Sequence, residues 1–179
     1  MVTKEELLNK LPVRWADITL KQYIQFRNLI EQLGGTDDFE KVYRNMLDIY
    51  FYVFTGVQLY DVEGFRQVDY FKVAERFNAF ENDESNTTAQ IDEELIKDFD
   101  QIIFEDLLKY MNLQEQNNIS NWPEMINILL KEPIDNIENQ MNMAEANRFF
   151  FVLENQLTDY LKALETSLME KLKKKHKAQ

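Results

Sequence analysis

Few residues of this 179-residue chain have the type and spacing that catalysis requires. His176 is the only histidine and lies in the lysine-rich segment 171–177, so a histidine-based triad or general base is disfavoured. Cysteine is absent, which excludes disulfides and thiolate metal sites. Only four glycines are present, and neither a P-loop nor a dinucleotide-binding glycine motif occurs. We therefore predict a non-enzymatic protein with no catalytic residues and no cofactor.

Carboxylates are the remaining side chains that could support chemistry. Asp83, Ser85, Thr87 and Glu94 fall on loop positions 1, 3, 5 and 12 of an EF-hand calcium site. Thr88 stands where the sharp turn of that loop requires glycine, so the sequence favours a solvated acidic segment over a metal site. An enzyme based on a metal or on paired carboxylates is kept as a third hypothesis, which tight binding of calcium or magnesium would support.

The charge is unevenly distributed along the chain. The net charge is −12, yet segment 171–177 holds five of the 20 basic residues and no acidic one, which leaves −17 for residues 1–170. A body of that charge repels a phosphate backbone, so we expect nucleic-acid contact only from the lysine segment. This segment has three interpretations. Its lysines could stabilise the negative C-terminal end of a helix, form an arm that binds nucleic acid or an acidic surface, or neutralise the protein's own acidic body. Its contact candidates are Lys171, Lys173, Lys174, Lys175 and Lys177.

The composition predicts an all-α fold. Gly and Pro total only four and three residues, hydrophobic residues make up 45% of the chain, and good helix formers are abundant. We predict a helical bundle with two lobes, residues 1–80 and 95–179, joined by the polar acidic linker 81–94; a single bundle is the open alternative. The charged N-terminal stretch lacks the apolar core of a signal peptide, and no run approaches the roughly 20 apolar residues of a membrane span.

The stretch "WADITLKQYIQF" (15–26) predicts the start of a helix. Thr19 and Gln22 have the spacing of a capping box, and Ile18 and Tyr23 that of a hydrophobic staple. The apolar spacing recurs 84 residues later in "IIFEDLLKYM" (102–111), either as a degenerate repeat or by coincidence.

Other helix boundaries follow from the same kind of local signal. Asp37 followed by Glu40 predicts the start of the next helix, and Gly56 predicts its end. Asp69 is the expected cap of a short helix after that, and helical pattern resumes at about Leu95. The longest helix is expected to run from about residue 144 to the lysine segment.

Aromatic residues supply the contact candidates. The clusters "YFYVF" (50–54) and "RFFFV" (148–152) fit either a core or an exposed patch for a partner. Phe149, Phe150 and Phe151 are successive, about 100° apart on a helix, so they cannot all face one core. We predict that one of them meets another helix, lobe or chain, and all three, together with Trp122, are candidates for contact with a partner protein.

The motif "WADITLKQY" resembles the N-terminal signature of small acidic helical proteins of tailed bacteriophages, of the tail-assembly-chaperone type. The step Thr55-Gly56 and the stretch "RFFFVLENQLTDYL" are similar to a helix end and to an aromatic-rich late helix in such chains of Bacteroides-type phages. The resemblance implies an assembly or virion-associated role without catalysis, as a tail or neck component or as packaged cargo. It also implies other virion or tail proteins as partners, oligomers within an assembly, no membrane partner, and a location in the virion or the host cytoplasm.

The acidic body supports a second hypothesis from a different class. An acidic DNA mimic would occupy the DNA site of a host enzyme, with carboxylates lining one extended face at phosphate-like spacing.

Overall fold

The computed structural model describes residues 2–33, 38–83, 91–98 and 101–153, together with residues 155, 156, 158, 162 and 166. The predicted all-α class is confirmed, since 71% of these residues are helical and no strand is found among them. The α-helices are α1 (Lys4–Asn9), α2 (Leu20–Glu31), α3 (Phe39–Thr55), α4 (Gln67–Glu81), α5 (Phe104–Glu115), α6 (Trp122–Leu129), α7 (Ile137–Gln140) and α8 (143–153). None of the described helices is long and apolar enough to cross a membrane.

Helix α2 begins at the predicted capping box. Thr19 Oγ1 accepts a hydrogen bond of 3.2 Å from the Gln22 amide, and Gln22 Oε1 accepts one of 3.0 Å from the Thr19 amide. Each side chain thus satisfies an amide that the helix itself leaves unpaired. The neighbouring Ile18 and Tyr23 are buried.

Helix α8 begins in the same way, at residue 143, one position before the expected start. Asn142 Oδ1 accepts a hydrogen bond of 2.9 Å from the Glu145 amide, and Glu145 Oε2 accepts one of 2.9 Å from the Asn142 amide. This capping box was not predicted, although Asn followed three residues later by Glu is its ordinary signal.

The starts of α2 and α8 are joined by backbone hydrogen bonds. The Leu20 amide donates to the Met141 carbonyl at 2.9 Å, and the Met143 amide donates to the Ile18 carbonyl at 3.0 Å. We call this antiparallel pairing the helix-start junction. It places the start of α2, from the predicted lobe 1–80, beside the start of α8, from the predicted lobe 95–179.

Helix α3 begins at Phe39, one residue later than a cap at Asp37 would place it. Asp38, and not Asp37, supplies the cap, because Asp38 Oδ1 accepts a hydrogen bond of 3.1 Å from the Lys41 amide. Asp37 itself lies outside the described residues. The helix ends at Gly56 as predicted, where φ of +75° is the left-handed conformation that glycine adopts readily.

Asp69 is not a helix cap, and that prediction was wrong. Helix α4 begins at Gln67, so Asp69 lies inside its first turn. Its carboxylate accepts hydrogen bonds from the Arg66 amide at 3.0 Å and from Lys4 Nζ at 2.8 Å, and the residue is only 2% exposed. Lys4 comes from α1, so this ion pair holds α1 against the start of α4.

The helical pattern does not resume at Leu95 as expected. Residues Glu93–Leu95 form a short 3₁₀ turn, and Ile96 then pairs with Leu130 through backbone hydrogen bonds on both sides. This pairing holds the backbone extended, so α5 begins only at Phe104.

The central core is aromatic. Tyr50 and Phe51 of α3 are fully buried, and the Tyr50 ring lies 5.3 Å from Phe77 and 5.7 Å from Phe80. The Tyr50 hydroxyl donates a hydrogen bond to the Pro12 carbonyl. The "YFYVF" cluster therefore serves mainly as core.

Buried residues of both predicted lobes belong to one connected cluster, which runs from Leu7 to Leu153. The division into two lobes stays a prediction. Most of the predicted linker, residues 84–90, lies outside the described residues, as do Ser85 and Thr87 of the calcium candidate. Asp83, the first residue of that candidate, accepts a hydrogen bond of 2.6 Å from the Trp15 amide.

Candidate functional site

The three successive phenylalanines of α8 lie in three different environments. Phe149 is buried in the core, whereas Phe150 is half-buried against Trp122, with ring centroids 4.7 Å apart. Phe151 is exposed, and the guanidinium carbon of Arg148 lies 5.1 Å from its ring centroid. The structure thus brings Trp122 and Phe150 together, with the Phe149 ring 6.0 Å from that of Phe150 on the core side, and leaves Phe151 apart from them.

Trp122 and Phe150 form part of the wall of a cleft of about 430 Å³ between α2, α5, α6 and α8, which we call the Trp122 cleft. Its apolar lining is Leu113, Ile119, Trp122, Met125 and Phe150. Its polar lining is Tyr23, Arg27, Glu31, Gln114, Asn117, Asn118 and Asn147. Such a volume is in the range of small-molecule and side-chain pockets, roughly 300–1,000 Å³.

A turn after α5 forms one side of the Trp122 cleft. Asn117 has φ of +48°, a left-handed conformation that asparagine tolerates better than most residues, and it ends α5. Asn118 Oδ1 then accepts a hydrogen bond of 2.9 Å from the Ser120 amide. Asn28 Nδ2 donates to Ser120 Oγ at 3.0 Å, which fixes the turn against α2.

Arg27 gives the Trp122 cleft a positive group. It is half-buried, and among the residues that the structure describes no carboxylate lies within 4.0 Å of it. Burial raises the pKa of Tyr23 and of Glu81, while the positive charge of Arg27 opposes each increase. Arg27 therefore acts on these neighbours through its field, and its guanidinium forms no direct ion pair with a carboxylate of the described residues.

A second surface lies on α5. Phe104, Leu108 and Met111 are 73%, 45% and 46% exposed, and their spacing of four and three places them on one side of the helix. Together with the exposed Ile103, they form what we call the α5 face. The opposite side of the helix carries Tyr110, which is buried.

The α5 face differs from the matching side of α2. Both helices have 12 residues. Their first residues, Leu20 and Phe104, are 84 positions apart, which is the offset of the suspected repeat. Leu20 of α2 is fully buried, whereas its counterpart Phe104 is exposed; Phe26 and its counterpart Tyr110 are both buried. The environments therefore agree at one pair of positions and differ at the other, and the repeat itself stays a prediction.

The polar residues beside the α5 face are mainly acidic. Glu105 is exposed, and the carboxylate of Asp106 pairs with Lys97 at 3.3 Å. Lys109 pairs with Glu124 at 2.8 Å, and this hydrogen bond raises the pKa of Lys109. Both lysines near the face are thus paired with carboxylates.

Within the described ranges, no group of three or more His, Asp or Glu side chains could hold a metal ion. Both surfaces offer apolar area with charged or amide groups at the margin, which is suited to binding. Arg27 was not predicted as a site residue, and segment 102–111 was predicted only as a possible repeat of the α2 start, not as an exposed face.

The lysine candidates of segment 171–177 lie outside the described residues, so the contact candidates that can be placed are Trp122, Phe149, Phe150 and Phe151. Comparison with protein-family models, with curated proteins and with solved structures gave no match to this chain.

Proposed function

We propose that this protein is a non-enzymatic bacteriophage protein that acts in assembly or as a virion-associated component, by packing a helix face against other phage proteins. The observation that carries the proposal is the α5 face, where three large apolar side chains of one helix face solvent. Contiguous exposed apolar area in a soluble protein is typical of interaction surfaces. The resemblance of residues 15–23 to the phage proteins supplies the biological setting.

Glu105 beside the α5 face makes no ion pair with another described residue, so a lysine or arginine placed opposite Glu105 on an apolar partner surface would be favoured. The partners expected are other tail, neck or capsid-associated proteins, and the protein would stay in the host cytoplasm or in the particle.

The proposal is tested by replacing Phe104 and Leu108 together with serine in the phage genome. Mass spectrometry of purified particles should detect the wild-type chain and should show the double variant depleted at least several-fold. Phe71→Ser is the matched control, because Phe71 is 62% exposed on α4 and should be replaceable without loss. Absence of the wild-type chain from particles would exclude the virion role. Normal incorporation of the double variant would exclude the α5 face as the surface that binds the other phage proteins.

The chaperone version of the same proposal predicts a different pattern. The chain would be absent from mature particles, and cells carrying the double variant would accumulate incomplete tails visible by electron microscopy. Full-length, normal tails in those cells would contradict the chaperone version.

The DNA-mimic hypothesis stays a prediction with less support. Three carboxylates in the described ranges are used in ion pairs with the protein's own lysines: Asp69 with Lys4, Asp106 with Lys97 and Glu124 with Lys109. Carboxylates paired in this way do not present the uncompensated charge of a phosphate row.

A further inference from the structure

We propose that the Trp122 cleft binds a peptide segment in which an aromatic side chain lies next to a carboxylate. The cleft is distinct from the α5 face, so this inference goes beyond the proposed function and is tested separately. The proposal is based on three features around one cavity: packed aromatic side chains, an arginine that pairs with no carboxylate of the described residues, and several amide side chains.

The apolar part of the cleft suits an aromatic ring. Trp122 and Phe150 meet with their ring planes at 62°, an edge-to-face arrangement. Met125 and Ile119 extend this surface without adding charge. A third ring can pack against such a pair in offset or edge-on geometry, and methionine sulfur adds favourable contacts with aromatic rings.

The polar side of the cleft suits a carboxylate. The guanidinium of Arg27 offers a planar set of donors that matches the two oxygens of a carboxylate. It is half-buried, and its field already reaches Tyr23 and Glu81, although no carboxylate of the described residues pairs with it directly. An incoming carboxylate would therefore gain a partly desolvated partner without breaking an existing ion pair.

Amide side chains at the rim favour a peptide over a simple aromatic acid. Gln114, Asn117 and Asn147 line the cleft, and none of their side chains makes a hydrogen bond to another residue in the described part of the chain. Each amide can donate and accept, as the peptide backbone requires.

The charge of the surroundings favours one carboxylate over a phosphate. Glu31 lines the same side as Arg27, and the chain carries a net charge of −12. A ligand with several negative charges would be repelled by this field, whereas a single carboxylate can be matched by Arg27 alone.

The test uses two probes that differ in one group: N-acetyl-glycyl-L-phenylalanine with a free carboxylate, and the same dipeptide as its C-terminal amide. Binding is followed by nuclear magnetic resonance through the two indole N–H signals, which Trp15→Phe assigns. We expect the acid to move the Trp122 signal and leave the Trp15 signal in place. We expect the amide to bind about tenfold more weakly, the effect of losing one charge-assisted contact.

Arg27→Gln identifies the group responsible. This variant should bind the acid and the amide equally weakly, whereas Arg14→Gln, a change at an exposed arginine outside the cleft, should leave the preference for the acid intact. N-acetyl-glycyl-L-leucine with a free carboxylate should bind more weakly than the phenylalanine probe. An unmoved Trp122 signal, equal affinities of the acid and the amide in the wild type, or an unchanged preference in Arg27→Gln would each overturn the proposal.

Discussion

A single buried ion pair at Asp69 joins two helices that are distant in sequence. Its carboxylate receives Lys4 from α1 and the Arg66 amide, and Lys72 lies 3.9 Å away. The Lys4 hydrogen bond holds the pKa of Asp69 below its usual value, and the Arg66 amide acts in the same direction, while burial opposes them. The charged form of Asp69 is therefore the form that stabilises the folded protein.

Asp69→Asn should remove a component of stability that depends on pH. Because the pKa of Asp69 is lower in the folded protein than in the unfolded chain, the charged carboxylate stabilises the fold above the unfolded value of about 3.9. That contribution is lost as the pH falls through the lowered pKa. Urea unfolding between pH 7 and pH 3 should show a gap between wild type and variant that is largest at neutral pH and shrinks in acid.

Asp17→Asn is the control for that experiment. Asp17 pairs with Arg14 at 2.7 Å, but this pair is exposed, and exposed pairs contribute little to stability. A gap for Asp69→Asn that stayed constant over the whole pH range would show that its carboxylate is not stabilised by Lys4.

At the scale of elements, the start of α2 is the helix boundary that follows most directly from its local sequence. The capping box of α2 satisfies two amides with two side chains three residues apart. Thr19→Ala should lower the free energy of unfolding by about 1 kcal/mol. Thr19→Ser keeps the hydroxyl and should restore most of that loss in denaturant titrations, whereas an equal loss in the alanine and serine variants would count against the cap.

Local features of this kind could be predicted from the sequence, because capping depends on residues three positions apart. The left-handed end at Gly56 and the all-α class belong to the same group. Asp69 could not be predicted, because its partner Lys4 lies 65 residues away and nothing in the local sequence indicates their contact. The Trp122 cleft was missed for the same reason, since four helices must converge to form it.

At the scale of the molecule, the two tryptophans report on the two predicted lobes. Trp15 donates its indole N–H to the Phe80 carbonyl at 3.1 Å, and Trp122 packs on Phe150. The connected core and the helix-start junction lead us to expect one cooperative unfolding transition. Variants Trp122→Phe and Trp15→Phe each keep one tryptophan. In each variant, denaturant unfolding followed by tryptophan fluorescence should have the same midpoint and slope as unfolding followed by far-ultraviolet circular dichroism.

Fluorescence and circular dichroism that disagree within one variant would instead support two lobes that unfold separately. Comparison within each variant matters, because either substitution can shift the overall midpoint without changing cooperativity.

The helix-start junction also has a consequence for how the chain is made. The carbonyl of Met141, which accepts the Leu20 amide, leaves the ribosome long after α2 has been synthesised. Until then the Leu20 amide lacks its acceptor, although Phe26 of the same helix can already pack against Tyr50, Phe77 and Phe80. The start of α2 is therefore completed only after Met141 has emerged, whereas the aromatic contacts of the same helix can form earlier.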